Sequence, residues 1–358
     1  MPKMQCERDP RTDERFAPKP GTKMIDLALQ GGGAHGAFTW GVVDRLLADD
    51  RIRIEAISGT SAGAMNAVVV ADGLDRGGRE GARKALRRFW SEVSRAGSFS
   101  PFKRTWLDRL MGRWSLATSP GYIFFDTLSR LVSPYQLNPF QLNPTLDLIS
   151  SLVDFDHVRH ADGIKLFIAA TNVRTGKQKI FHREELTPAM VMASACLPLI
   201  FQAVEIDGEA YWDGGYMGNP VLFPLVEDCR SRDIVIVQIN PIHREEIPRR
   251  AHEILNRINE ITFNASLIKE IRAIAILKEL IETADLKDWR HQDALFHRIA
   301  ADAELKSLDV SSKVNTEWPF LEHLHDVGFR AASKWLDRHF DDLDVRSSLD
   351  IESVYLQE

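Results

Sequence analysis

Two glycine-rich segments, each wedged between an apolar run and a helical pattern, restrict this chain's fold more than any other feature. The first, Gly31-Gly32-Gly33-Ala34-His35-Gly36, follows the run Met24 to Gln30 and precedes Ala37 to Ala48, where Phe38, Val42, Leu46 and Leu47 fall at helical spacing. The second, Gly59-Thr60-Ser61-Ala62-Gly63, follows Ile52 to Ser58 and precedes a helical stretch from Ala62 to about Ala71. Both runs are too short and too continuous for amphipathic helices, so they read as strands buried on both faces. Strand, glycine loop and helix, repeated, predict an α/β domain on a mostly parallel sheet.

Further along, Gly78 to Arg95 predicts a helix carrying Arg79, Arg83, Lys84, Arg87 and Arg88, read as a solvated face rather than a phosphate site. Strands are expected at Lys165 to Val173 and Gln178 to Phe181, with Thr175-Gly176 as their turn. A short helix at Pro188 to Cys196, a hairpin at Val204 to Trp212 turning on Asp207-Gly208, and a buried strand at Asp233 to Ile239 follow. From about Arg249 to roughly Leu343 the pattern reads as helical. The expected division is a flexible tail over 1–23, a catalytic domain over 24–240 and a helical C-terminal extension over 241–358.

Two regions leave alternatives open. Phe99, Phe102, Trp106, Trp114, Tyr122, Phe124 and Phe125 crowd the stretch Ser98 to Ser150. Core packing is expected to take most of them, with an acyl-pocket lining or a lid touching membrane as the other reading. Ile254 to Ile281 has isoleucine and leucine at helical spacing among Arg257, Lys269, Arg272 and Lys278. Packing on the sheet or a partner subunit is preferred there over lying on an anionic bilayer.

A net charge of −6 gives no electrostatic case for nucleic acid. Cys6, Cys196 and Cys229 make neither a disulfide framework nor a zinc set, which fits a reducing cytoplasm. No apolar run reaches the eighteen or so residues of a spanning helix, and the N-terminus lacks a signal core, so a cytoplasmic or membrane-peripheral protein is expected. No metal or cofactor is expected.

The glycine segments also carry chemistry. In the G-x-S-x-G of the second, a sharp strand-to-helix turn puts Ser61 in strained backbone, Gly59 and Gly63 give it room, and the following helix aims its dipole at the hydroxyl. Ester hydrolysis builds charge on the carbonyl oxygen. Consecutive glycines at a helix start let amides converge on that charge, which makes Gly31, Gly32 and Gly33 candidate oxyanion donors with Gly36 as support. Asp213-Gly214-Gly215 directly follows the apolar Ala210-Tyr211-Trp212. Beside the other two motifs, Asp213 is the best candidate for the group that takes the serine proton.

The first loop also satisfies G-x-G-x-x-G, so a dinucleotide site is a rival. It would need an acid at the end of the second strand; that end is Ser58-Gly59, and Glu55 lies inside the strand. A Ser-Asp-His triad is a second rival, for which only His243 has a suitable loop position. Ser61 follows the glycine loop too closely for that hydrolase plan, and a dyad fits better.

In this order and setting the three motifs resemble the patatin-like phospholipase family, over about Met24 to Asn240. Ala193-Ser194-Ala195-Cys196-Leu197-Pro198 resembles the small-residue and proline segment that the family carries before its aspartate. The resemblance implies a three-layer α/β/α fold and a metal-free dyad hydrolysing acyl esters of lipids. It implies Ser61 as nucleophile, Asp213 as proton acceptor and Gly31 to Gly33 as oxyanion donors. The helical remainder resembles an extension found in some bacterial members. One departure stands out: many members carry Arg or Lys where this chain has His35, so any charge contribution there becomes pH-dependent. The expected partner is a lipid or other acyl ester, with homo-oligomerisation left open. A non-catalytic lipid-binding scaffold is the alternative, and three intact motifs argue against it.

Overall fold

Burial of the central strands on both faces sets the architecture. The structure, a computed structural model, describes residues 21–98, 100–283 and 294–356. Most of the expected tail, with Cys6, and also Phe99 and His291 lie outside the described residues. The strands are β1 Lys23–Leu29, β2 Ile52–Gly59, β3 Lys165–Asn172, β4 Gln178–His182, β5 Val204–Ile206, β6 Glu209–Asp213, β7 Asp233–Val237 and β8 Leu295–Ile299. They form one eight-stranded sheet in the order β5-β6-β3-β2-β1-β7-β8, with β4 also paired to β3. From β3 to β8 across that order the strands run parallel, while β4, β5 and β6 make antiparallel pairings.

Successive side chains point to opposite faces. Leu27, Leu29, Val235 and Val237 enter a core with the helices α1 (Gly36–Ala48), α2 (Ala62–Gly97) and Trp318–His339. Ala28, Ile234 and Ile236 enter a second core with Leu267, Ile271 and Ile274 of the helix Ala251–Thr283. Helices on both faces give the three-layer α/β/α arrangement. The two helices expected over 62–95 run together, kinked at Gly77 and Gly78. The basic side of α2 divides: Lys84, Arg87 and Arg88 are exposed, as a solvated face requires, whereas Arg79 donates to the carbonyls of Leu46, Leu47 and Ile52, and Arg83 pairs with Asp44.

The stretch beyond 249 is not wholly helical, which corrects the expectation. β8 adds to β7 in parallel, so the sheet does not end at 240. Its sequence, Leu-Phe-His-Arg-Ile, hides the strand because His297 is polar yet fully buried, bonded to Asp233 Oδ1 (2.8 Å) and Ser348 Oγ (2.9 Å). The helix Trp318–His339 then lies on α1, with Gly41 against the His325 carbonyl and Gly328 against that of Phe38.

The 98–150 stretch is a chain of short helices, and its aromatics are only partly core. Trp106 and Phe124 are exposed, while Phe102, Trp114, Tyr122 and Phe125 are half-buried. In the helix Ala251–Thr283 the inner residues pack on the sheet as expected, whereas Ile254, Ile258 and Ile261 face outward.

Candidate active site

Ser61 forms the turn between β2 and α2 with φ 55° and ψ −121°. Such backbone costs roughly 1–3 kcal/mol in a residue other than glycine, so its surroundings must hold it. The Ser61 amide donates to Ser194 Oγ (2.9 Å), and Thr60 Oγ1 donates to the Gly218 carbonyl (2.7 Å). A Cβ on Gly31 would stand 2.6 Å from Ser61 Cβ, so only glycine lets the first loop come this close. Around the turn Gly59 packs on Gly63, Gly63 on the Leu29 carbonyl, and Gly36 on Ala62.

Asp213 is the last residue of β6. Its amide donates to the Cys196 carbonyl (2.8 Å), and its own carbonyl accepts Thr171 Oγ1 (2.9 Å). Pinning the backbone on both sides leaves the side chain little freedom. Oδ1 accepts the Gly215 amide at 2.7 Å, while Oδ2 is buried with no hydrogen bond. Gly214 lies against the Ala169 carbonyl and Gly215 against the Phe263 ring. Burial pushes Asp213 up to about 7, opposed by the Gly215 amide, the Ser61 hydroxyl and the Lys313 ammonium. Asp213 Oδ2 thus keeps a free lone pair on a carboxylate that the Ser61 hydroxyl helps to steady. Asp213 is fully buried and Ser61 only 7% exposed.

The glycine loop is set by amide side chains that were not singled out from the sequence. Gln30 Oε1 accepts the amides of Ile239 (2.9 Å) and Asn240 (2.8 Å), and its Nε2 donates to Asn264 Oδ1 (2.9 Å). Asn240 Nδ2 donates to the Gly31 carbonyl (3.0 Å). The Gly31 amide is itself committed to Asn219 Oδ1 at 2.6 Å. Gly31, expected among the oxyanion donors, thus has its amide on a side chain here, and it also makes the close approach to Ser61. Among the described residues the amides of Gly32 and Gly33 donate no hydrogen bond. Gly33 has φ 58° and lies against the Lys313 carbonyl.

His35 is buried, its Nε2 2.8 Å from Ser312 Oγ. Burial, and then the Lys313 ammonium, push it down to about 3. It is neutral across the ordinary pH range and contributes no charge there.

The structure therefore brings Ser61, Asp213 and the three glycine motifs to one place, at the carboxyl ends of β1 and β2. It leaves the rivals elsewhere. Glu55 is occupied by the amides of Arg230 (2.9 Å) and Ser231 (2.8 Å), and His243 is exposed. A cavity of about 420 Å³ opens by Met24, Ile52, Glu55 and Lys165, and neither Ser61 nor Asp213 lines it. Among the described residues no cluster of three His, Cys, Asp or Glu side chains could hold a metal ion. Ser194 lies in the small-residue segment that the sequence did mark, whereas Asn219 and Lys313 are neighbours of the site that it did not announce. Asn219, six residues past Asp213, offered the nearest thing to a local signal.

A family model described as patatin-like phospholipase matches residues 27–226, more than half of the chain and all three motifs. No curated protein matches. Among solved structures, VipD from Legionella pneumophila is similar at a TM-score of 0.40 and 16% identity, over 94% of this chain and 73% of that one. The ExoU–SpcU complex from the type III secretion system of Pseudomonas aeruginosa is similar at a TM-score of 0.29 and 18% identity, over 90% of this chain and 61% of that one. Both likenesses are distant, and the family match stands without them. The chain belongs to the patatin-like phospholipase family.

Proposed function

We propose that this protein hydrolyses carboxylic esters of lipids by a Ser61–Asp213 dyad. Asp213 Oδ2 takes the proton from Ser61 Oγ as that oxygen attacks the ester carbonyl carbon. The electron pair displaced onto the carbonyl oxygen is held by the amides of Gly32 and Gly33. Collapse expels the alcohol, which leaves with the proton from Asp213, and the acyl group stays on Ser61. Water then gives Asp213 a proton as its oxygen attacks the acyl carbon, and collapse returns that proton from Asp213 to Ser61 Oγ and releases the carboxylic acid.

One observation carries the reading: a serine in left-handed backbone beside a buried carboxylate with an unbonded oxygen. An ordinary carboxylate is a weak base, and burial, which brings Asp213 to about 7, makes it a fitting one. The test is labelling by a fluorophosphonate and turnover of a chromogenic ester. Both are expected of the native protein and lost in Ser61→Ala; full labelling of Ser61→Ala would end the assignment.

The substrate class favours contact with a lipid surface. Trp106 (76%), Leu110 (76%), Phe140 (85%) and Leu142 (70%) stand exposed on the short-helix segment. That segment borders the site from two sides. Leu116 bonds Ser311 in the turn that holds His35, and Gln202, downstream of Ser194 and Cys196, bonds the Asn138 carbonyl. Among the described residues no helix is long and apolar enough to cross a membrane, so contact would be peripheral. Co-flotation with phospholipid vesicles is expected, and its absence across neutral and anionic compositions would remove this part.

A further inference from the structure

The turn Val310–Val314 lies outside the family match, yet it is fitted to the glycine loop. Gly33 rests on the Lys313 carbonyl and His35 bonds Ser312. From this turn the Lys313 side chain runs inward. Its stem keeps some exposure, while the ammonium is enclosed. Nζ donates to Asn240 Oδ1 (2.9 Å) and Asn259 Oδ1 (2.7 Å) and stands 5.3 Å from the centre of the Phe263 ring. Two of these contacts lead back to the site. Asn240 bonds the Gly31 carbonyl, and Phe263 abuts Gly215, whose amide binds Asp213 Oδ1.

Amide oxygens solvate an ammonium without neutralising it. The carboxylate on the neighbouring helix, Glu260, is already paired with Arg244 and Arg257. His35 is neutral. Glu260 attracts the Lys313 charge most but is shared between those two arginines, and Asp213, one layer away behind Phe263 and Gly215, is the other carboxylate that the ammonium acts on.

We propose that Lys313 is a positioning residue for the dyad, whose ammonium holds Asp213 in the ionised, proton-accepting form and adds positive potential beside the Gly32 and Gly33 amides. The proposal rests on Asp213 being the base. A buried carboxyl with no charge partner would stay protonated well above neutral pH and could accept nothing. Enclosure has the opposite sign for Lys313: burial pushes it down to about 8, with Glu260 and Asp213 pulling it back. Asp213, faced also by Cys196 and Tyr216, sits at about 7. Asp213 must lose its proton and Lys313 keep one for both charges to stand, so the pH profile has two limbs, an acid one belonging to Asp213 and an alkaline one to Lys313.

The experiment is a carbon-13 titration of the Asp213 carboxyl in the full chain, its signal assigned by loss in Asp213→Asn. Lys313→Met is expected to raise the Asp213 proton affinity about tenfold, one pH unit, and Lys313→Arg to leave it near the native value. Should Lys313→Met fail to fold, Lys313→Gln removes the charge and retains an amide donor. In ester turnover the neutral variant loses the alkaline limb and shifts the acid limb upward, lowering kcat more than KM, while Lys313→Arg moves the alkaline limb to higher pH. An Asp213 signal unmoved by Lys313→Met or Lys313→Gln overturns the proposal. If the native protein turns over no ester, the functional reading fails, and the carboxyl titration still decides the coupling.

Discussion

At the carboxyl ends of β1 and β2, Ser61 and Asp213 share a site without a closed hydrogen bond on Asp213 Oδ2; at the amino end of β7, Ser348, His297 and Asp233 make an unbroken hydrogen-bonded row of 2.9 and 2.8 Å. By residue type the second set looks the more like a hydrolase. Asp233 also accepts the Asp344 amide on both oxygens (3.1 and 3.0 Å), and His297 and Asp233 are fully enclosed. Every lone pair that matters is satisfied, and the result is a clamp tying residues 344–348 to the sheet. The Ser61 site has strained backbone, an unbonded carboxylate oxygen and amides without acceptors. Chemical competence is marked by what a site leaves unsatisfied, and identity of residues alone misleads.

The largest test exchanges the two serines. Ser61→Ala is expected to lower ester turnover by about 10⁴-fold or more, and Ser348→Ala to leave it within about twofold, read as kcat/KM on one chromogenic ester. A silent Ser348→Ala enzyme would invert the comparison.

Next comes Asp213→Asn, expected to cost about 10³-fold in kcat/KM. Its effect on stability has the other sign. The folded protein keeps the Asp213 proton up to about 7, while an ordinary carboxyl near 3.8 in the unfolded chain has already lost it. Stability therefore falls as pH rises across that interval and stays at its low value above it. The asparagine removes this penalty, so Tm should rise by a few degrees at pH 8 and hardly change at pH 4. In the native enzyme kcat/KM should rise with pH through about 7, and a profile flat from 5 to 8 would contradict Asp213 as base.

His297→Ala strands a buried carboxylate and should cost about 3 kcal/mol in urea unfolding, with turnover per folded molecule unchanged. The smallest effect belongs to the surface. Trp106→Ser with Phe140→Ser should weaken vesicle partition by about tenfold and shift Tm by roughly a degree or less.

What could be read from the sequence was what is encoded locally. Ser61 and Asp213 each stand between an apolar run and small residues, so strand end, turn and reactive group are written within a few positions. The Asp207-Gly208 hairpin is likewise local, with φ 53° and 78° as such a turn requires. β8 was hidden because its histidine is satisfied by Asp233 and Ser348, residues 64 and 51 positions away. The loss of the Gly31 amide to Asn219 depends on a partner 188 positions distant. Lys313 has no pattern around it; its meaning comes only from the fold that carries it to Asp213.

The place of β8 has a practical side. A recombinant fragment trimmed to 27–226 would cut into β1 and, with β7 gone, uncover the edge of what remains of it, and one stopped at 240 would bare β7 instead. Open hydrogen-bonding edges of buried strands recruit other chains. Trimming would also strip the layer that covers Trp40 and Phe38 on α1. Such fragments would precipitate because of where the chain was cut, whatever the intact enzyme can do.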